Sequence, residues 1–296
     1  MSESPEAVCF ADRACFQTVE VVENIRLATD TWRVRFHAPE MARRFIPGQF
    51  LMMRLTGYED PMLGRPFALY DTVLDGAGQP TGVDVVYLVM GKMTSRLARF
   101  QPGDKLDVWG PLGNGFPADP VDHLILVGGG IGQTPFLAYA RESLESRQYG
   151  EPARSQTRAE QVTLCYGARR ADYLAGVGDF ERLGIDVHLS TDDGSAGHHG
   201  FVTDVLRLVL ESSAGASSRL ASRRIVCCGP WRMMQAVAEV ARAANVPCFA
   251  SLETPMACGI GICFSCVARI RDASGDWDYR RTCVEGPVFD AERVVW

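Results

Sequence analysis

The sequence predicts an antiparallel β barrel, then a doubly wound parallel sheet with helices on both faces, then a small tail carrying a cysteine cluster. Three observations predict this architecture. Residues 16–117 hold short runs of β-branched, aromatic and apolar residues cut by turn sequences; from residue 121 strand-like and helix-like stretches alternate; and four cysteines stand between positions 258 and 283. The expected division is an N-terminal extension over 1–15, the barrel over 16–117, the α/β domain over 118–247 and the cysteine subdomain over 248–296.

The barrel strands read as "FQTVEVVENIRLA", "TWRVRFHAP", "GQFLMMRLT", "RPFALYDT", "GVDVVYLVM" and "DKLDVWGP", with "PGQ", "DGAGQPTG" and "QPGD" as turns. In the α/β part, "HLILVGGG" precedes "TPFLAYARESLESR", "QVTLCYGAR" precedes "ADYLAGVGDFERL", "IDVHLSTDD" precedes "FVTDVLRLVLE", and "RRIVCCGP" precedes "WRMMQAVAEVARAAN". Two polar stretches, "SRQYGEPARSQTRAE" and "SSAGASSRLAS", read as surface loops without a site. The tail is too short to bury a sizeable core alone, so it needs a staple or a metal.

Composition narrows the function classes. At 296 residues, 47% hydrophobic and 22% charged, the chain has ordinary globular proportions. A net charge of -6 and a pI near 5.5 argue against a nucleic-acid partner. The start shows no basic region followed by an apolar run, and no segment offers about 18 uninterrupted apolar residues, so the reading is cytoplasmic with no membrane insertion. Ten cysteines without a secretion signal favour metal or redox chemistry over a disulfide framework.

The densest motif is Cys258-x4-Cys263-x2-Cys266-x16-Cys283. This C-x4-C-x2-C…C order is the plant-type ligand pattern for a [2Fe–2S] cluster. Gly259 and Gly261 let the backbone wrap closely around an inorganic core. A structural zinc, which more often shows two C-x2-C pairs, and unrelated buried thiols are the alternatives.

Two glycine-bearing turns close strands of the α/β part. "GGGIGQTP" offers Gly130 and Gly132 beside Thr134 and Pro135 in the first turn of a helix, an arrangement that admits a pyrophosphate, although Gln133 breaks the G-x-G-x-x-G match. "CCGP" supplies Cys228, Gly229 and Pro230 at a second strand end, where open α/β sheets bind ligands. Asp192, in "STDDGS", can accept from a ribose diol, or serve only as a turn aspartate. In the barrel, Arg65 offers a planar fork to phosphate, and Pro66, Phe67 and Ala68 follow it, with Phe67 a flat face for a ring. Gly91, Thr94 and Ser95 precede a short helical stretch suited to an anion. Singly, each of these is a turn as readily as a site.

Their order is the informative part. A barrel with these segments, then "GPLGNGF", "GGGIGQTP", "TDDGS", "CGP", "MACGIGICFSCV" and "TCVEGPVFDAERVVW", resembles the ferredoxin–NADP reductase superfamily. It closely resembles the electron transfer subunits of type B dihydroorotate dehydrogenases, from about residue 16 to residue 296. The resemblance implies FAD in the barrel at Arg65, Pro66, Phe67 and Ala68, with Gly91, Thr94 and Ser95 at its pyrophosphate. It implies NAD at Gly130, Gly132, Thr134, Asp192, Cys228, Gly229 and Pro230, and a [2Fe–2S] cluster on Cys258, Cys263, Cys266 and Cys283. An FMN-containing catalytic subunit is the implied partner, in a heterotetramer of two plus two. The implied function is an oxidoreductase of pyrimidine biosynthesis, with no catalytic residue by acid/base chemistry because the cofactors carry the reaction. An alternative is a reductase subunit of similar build serving a sulfide dehydrogenase, hydrogenase or transhydrogenase. Where the family usually has Ser or Thr, this chain has Ala68.

Overall fold

Period-2 burial builds the first half of the chain. The computed structural model describes residues 14–154, 158–215 and 222–296. Seven strands come first: β1 (Cys15–Ala28), β2 (Thr31–His37), β3 (Phe50–Leu55), β4 (Arg65–Ala68), β5 (Asp71–Leu74), β6 (Pro80–Leu88) and β7 (Lys105–Leu112). They pair antiparallel in the order β4-β3-β7-β1-β2-β6-β5. Alternate residues such as Val34, Phe36, Leu51, Val85 and Leu106 fill the interior. On the opposite face, the buried Asp107 carboxylate is satisfied by Thr18 and Thr56 at 2.9 Å and by Arg54 at 2.7 Å. Helix α1 (Pro39–Arg44) buries Met41 and Ala42 against the barrel, and α2 (Lys92–Leu97) follows β6.

"RPFALYDT" is not the single strand expected from its composition. It divides into β4 and β5, which lie at opposite edges of the sheet. The reason is hydrogen bonding at the two residues between them: the Leu69 N–H donates to Gln49 O at 3.1 Å and the Tyr70 N–H to Asp84 O at 3.0 Å. The chain thus passes from one edge to the other and curls the sheet into a half-barrel.

The second half is a parallel sheet of β8 (Val121–Gly129), β9 (Ala159–Ala168), β10 (Asp186–Thr191), β11 (His198–His199), β12 (Arg223–Cys228) and β13 (Cys248–Ser251). Its order is β11-β10-β9-β8-β12-β13, so successive strands step to one side of β8 and then restart on the other. That reversal is the topological switch point at which such sheets hold ligands. Two cores flank the sheet. α3 (Phe136–Ser143) and α4 (Val177–Glu181) cover one face, with Phe136, Leu137 and Phe180 buried, while α5 (Val202–Gly215) and α6 (Trp231–Ala243) cover the other, with Leu206, Met234 and Val237 buried.

Several helical expectations are corrected. The helix after the glycine turn begins at Phe136, not at Thr134, because Gly130–Gln133 forms a 3-10 turn in which Thr134 N–H bonds Ile131 O at 3.1 Å. "ADYLAGVGDFERL" gives only a 3-10 turn at Ala171–Tyr173 and the short α4, separated by Gly176 at φ 72°. α5 runs on through residues 212–215 of the second polar stretch. Residues 216–221 of that stretch, 155–157 of the other and 1–13 of the N-terminal extension lie outside the described residues.

The first polar stretch is more than a surface loop. Tyr149 is buried, its hydroxyl donates to Asp71 at 2.6 Å, and Arg147 donates to the same carboxylate at 2.9 Å, with Arg141 at 3.1 Å. Because Asp71 belongs to β5, this network bolts the barrel to the parallel sheet. Tyr70 and Asp179 (2.5 Å) and the Thr29 N–H and Asp172 O (2.8 Å) make further bridges of the same kind.

The tail is woven into both neighbours. The hairpin of β14 (Val267–Arg271) and β15 (Trp277–Arg281) stands between Cys266 and Cys283, after which β16 (Val288–Asp290) adds antiparallel to β13 at the edge of the parallel sheet. Among the described residues no helix is long and apolar enough to cross a membrane.

Candidate functional site

A cleft of about 670 Å³ lies where the half-barrel, the switch point of the parallel sheet and the tail meet. That is the size range of small-molecule and cofactor sites. The barrel contributes Arg65, Pro66, Phe67 and Ala68 from β4 and Gly91 and Thr94 from the start of α2. The parallel sheet contributes Gly132 and Thr134 after β8 and Cys228 and Gly229 after β12. Ser95, Gly130, Asp192 and Pro230 are not among the lining residues; Ser95 is exposed on the outer side of α2, and Asp192 is exposed beyond the end of β10.

Each wall has a physical origin. β4 is the edge strand paired with β3, so its second edge is left to face the cleft. Arg65 is exposed and, among the described residues, its fork meets the carbonyls of Leu63 and Gly64, at 3.0 and 3.1 Å. Phe67 packs edge-on to Tyr87, with ring centroids 6.3 Å apart, and is half-buried. The Thr94 hydroxyl is engaged locally: it accepts the Met90 and Gly91 N–H groups at 3.1 and 3.2 Å. On the far wall Gly132 packs directly against the Cys228 carbonyl, where a Cβ would sit 2.2 Å from the oxygen. The two turns therefore form one continuous surface only because residue 132 has no side chain. Burial first, and then the negative charge of Glu253, push the Cys228 thiol up to about 12; a hydrogen bond with Ser251 works the other way. It is a neutral thiol at physiological pH.

The four cysteines of the tail come together beside this cleft as two pairs. Cys263 lies within hydrogen-bonding reach of Cys258, Cys283 within reach of Cys266, and Cys283 also feels Cys258. Among the described residues no three His, Cys, Asp or Glu side chains close into a single cage. Two pairs suit a two-iron core, in which each iron takes two thiolates, better than one tetrahedral zinc. Gly259 and Gly261 both have left-handed φ, at 75° and 85°, and at Gly259 a Cβ would lie 2.5 Å from Met52. Hydrogen bonds from Ser265, first from its side chain, and from Cys258 bring the exposed Cys263 thiol down to about 6. Burial, and then the Cys266 hydrogen bond, raise Cys283 to about 12.

Nest and cleft share a wall. Phe50 and Met256 line the cleft and also pack with Cys266 and Cys283 in one apolar cluster with Met52 and Leu112. Trp109 holds the near end of the nest by donating its indole N–H to Cys258 O at 2.8 Å. Sequence reasoning missed Phe50, Ser251, Glu253, Thr254, Met256 and Pro287, all of which line the cleft. The signal for three of them was present: "ETPM" leads straight into the first cysteine.

A half-barrel with an aromatic-faced cleft, a switch-point sheet and a paired-cysteine nest defines a flavin- and nicotinamide-binding reductase with an iron–sulfur domain. Family models agree by region: an oxidoreductase FAD-binding domain matches residues 18–116, an oxidoreductase NAD-binding domain 126–239, and the iron–sulfur cluster binding domain of dihydroorotate dehydrogenase B 253–295. The chain is 33% identical over 272 residues to the dihydroorotate dehydrogenase B (NAD(+)) electron transfer subunit of Desulforamulus reducens, covering 91% of this chain and 94% of that one. It is 37% identical over 252 residues to the same subunit of Geobacillus kaustophilus, covering 84% and 86%. The chain belongs to the family of dihydroorotate dehydrogenase B electron transfer subunits. Among solved structures, an NADH-dependent reduced ferredoxin–NADP oxidoreductase studied for flavin-based electron bifurcation matches with a TM-score of 0.75 at 30% identity, over 94% of this chain and 90% of that one. A ferredoxin reductase of carbazole 1,9a-dioxygenase shares the fold, with a TM-score of 0.63 at 20% identity over 79% and 67% of the two chains.

Proposed function

We propose that this chain is the electron transfer subunit that takes electrons from a dihydroorotate-oxidising, FMN-containing partner and delivers them to NAD+, in pyrimidine biosynthesis in the cytoplasm. The observation that carries the reading is the shared wall: Phe50 and Met256 touch both the cleft and the cysteine nest. A flavin exchanges electrons singly with an iron–sulfur centre and in pairs with a nicotinamide, which is the chemistry it would supply in the cleft.

The chain's own residues hold and orient. Phe67 and Pro66 offer a flat wall to the isoalloxazine, Arg65 turns its outer donors to phosphate, and Gly91 and Thr94 line the cleft where the pyrophosphate would lie. Gly132, Thr134, Cys228 and Gly229 make the surface for the nicotinamide, with Gly130, Asp192 and Pro230 further along it. Cys258, Cys263, Cys266 and Cys283 hold the [2Fe–2S] core. Around the nest an exposed apolar rim supports partner docking: Phe16, Leu63, Ile262 and Phe264 are 62%, 52%, 73% and 64% exposed. Phe16 stacks on Trp109, which ties the rim to Cys258.

The test is to isolate the native complex and assay dihydroorotate-dependent reduction of NAD+. Co-purification of a dihydroorotate-oxidising flavoprotein with that activity, in a two plus two assembly by light scattering, is the expected result. A second reading is favoured by one observation, the 30% identical bifurcating reductase: a reductase subunit of another redox complex, such as a transhydrogenase. A co-purifying subunit that does not oxidise dihydroorotate would select it.

A further inference from the structure

We propose that Thr254 and Thr282 form a hydroxyl bridge that ties the wall of the redox cleft to the cysteine nest and sets the coupling between them. The proposal rests on the functional reading above.

Thr254 lies in the lining of the cleft, four residues before Cys258. Its Oγ1 is 2.5 Å from Oγ1 of Thr282, the residue next to Cys283. Thr282 has no exposed surface. Its hydroxyl donates to Cys266 O at 3.0 Å, and its N–H donates to the same oxygen at 2.8 Å. A hydroxyl has one proton to give. Since that of Thr282 goes to Cys266 O, the Thr254 hydroxyl is the donor of the 2.5 Å bond. The result is a directed chain, from the cleft wall through two hydroxyls to the main chain of a nest cysteine.

Shape alone does not call for these hydroxyls. Valine fills the same volume without burying a polar atom, and a buried hydroxyl is tolerated only when it is bonded. The other connections are longer or softer. The main chain from Thr254 to Cys258 has no regular structure, and the contact through Phe50 and Met256 is apolar. The bridge also holds both sides of the nest at once, because Cys266 O and the peptide preceding Cys283 are joined through Thr282.

Each NADH oxidised releases NAD+, one proton to water and two electrons. A [2Fe–2S] centre accepts one electron at a time, so two crossings of this wall balance one NADH. Thr254 and Thr282 are positioning residues in this scheme and exchange no electrons or protons with the substrate.

The test uses the full chain carrying both cofactors, with Thr282→Val, Thr282→Ser and Thr254→Val. NADH is mixed anaerobically, and cluster reduction is read relative to flavin bleaching in the same stopped-flow trace. The electron paramagnetic resonance spectrum of the dithionite-reduced cluster is recorded separately. Both valine variants are expected to slow relative cluster reduction about tenfold, the order of loss that small misplacements of reacting groups produce. Thr282→Val also shifts the resonance line shape, and Thr282→Ser restores rate and spectrum. Unchanged relative rates in both valine variants, or a serine variant that behaves like valine, would overturn the proposal. Should Thr282→Val not fold, Thr254→Val at the cleft wall decides alone. A parent chain that binds neither flavin nor iron fails before any variant is compared, and that result rejects the functional reading itself.

Discussion

Replacing Gly132 by alanine tests whether the two nucleotide-side turns must touch. An added Cβ would lie 2.2 Å from Cys228 O, 2.4 Å from Cys228 C and 2.6 Å from Gly229 N, all of them main-chain atoms. Carbon packs at roughly 3.5 Å, so the turns would have to part by about 1 Å. They are not free to do so, because Cys228 and Gly128 are opposed in the β12–β8 ladder just before the turns begin. The backbone of Gly132 is not left-handed, so the penalty is steric alone. Overpacking that cannot relax falls at the upper end of its range, about 3 kcal/mol, which corresponds to a fall in Tm of roughly 6–12 °C. Differential scanning fluorimetry reads the Tm, and anaerobic bleaching by NADH reads the site. Gly76→Ala is the control: its Cβ meets nothing within 4 Å, so the expected change is within about 0.5 kcal/mol. A Gly132→Ala chain with the parent Tm and parent bleaching rate would refute the close approach of the two turns.

Three further outcomes follow from the same geometry. His123 is fully buried in β8, with Nε2 2.8 Å from the Thr163 hydroxyl, and burial, aided by Arg223, holds its pKa below the usual 6.5. The unfolded chain therefore binds the extra proton first; the stability due to the neutral ring is complete above pH 6.5 and is lost as pH falls below it, and His123→Gln is expected to flatten that part of a urea-midpoint profile. In the cofactor-free chain, iodoacetamide at pH 7.5 is expected to modify the exposed Cys263 at least about tenfold faster than Cys228, since one thiol sits at about 6 and the other at about 12 while the lower-pKa thiolate is the weaker nucleophile; peptide mapping that finds Cys228 labelled first would contradict this, and cluster reconstitution should protect Cys263. Asp71→Asn leaves Arg141 and Arg147 facing a neutral amide in a buried site, with an expected loss of about 3 kcal/mol in denaturant unfolding.

The sequence announced the parts more clearly than their junctions. Strand alternation exposed β1, β2, β3, β6 and β7, because their inward residues pack against a single interior. It failed at "RPFALYDT", where continuous apolarity hid a change of sheet edge enforced by Leu69 and Tyr70 backbone bonds to distant strands. The cysteine spacing was legible because ligand geometry is local, within about 25 residues. Phe50 and Pro287 were not, since each reaches the cleft only where the barrel and the tail come together. "SRQYGEPAR" misled for a related reason: its Arg147 and the buried Tyr149 are partners of Asp71, and polarity alone cannot distinguish solvent from a carboxylate 78 residues away.

Those junctions explain why the tail sits where it does. Its first and last strands, β13 and β16, are bound into the parallel sheet, while the loop between them lies on β3 and β7 of the half-barrel through Trp109, Met52 and Leu112. Asn114 completes the seam, donating to Val288 O at 2.8 Å and accepting the Val288 N–H at 3.2 Å. A segment fastened to both larger bodies cannot swing away from the cleft without breaking a sheet edge or an indole hydrogen bond. The cysteine nest is therefore held beside the cleft by the fold itself, before any partner binds. The distance from the nest to the cleft wall at Phe50 is thus already set, and a partner docked at the rim proposed around Phe264 and Ile262 would find it so.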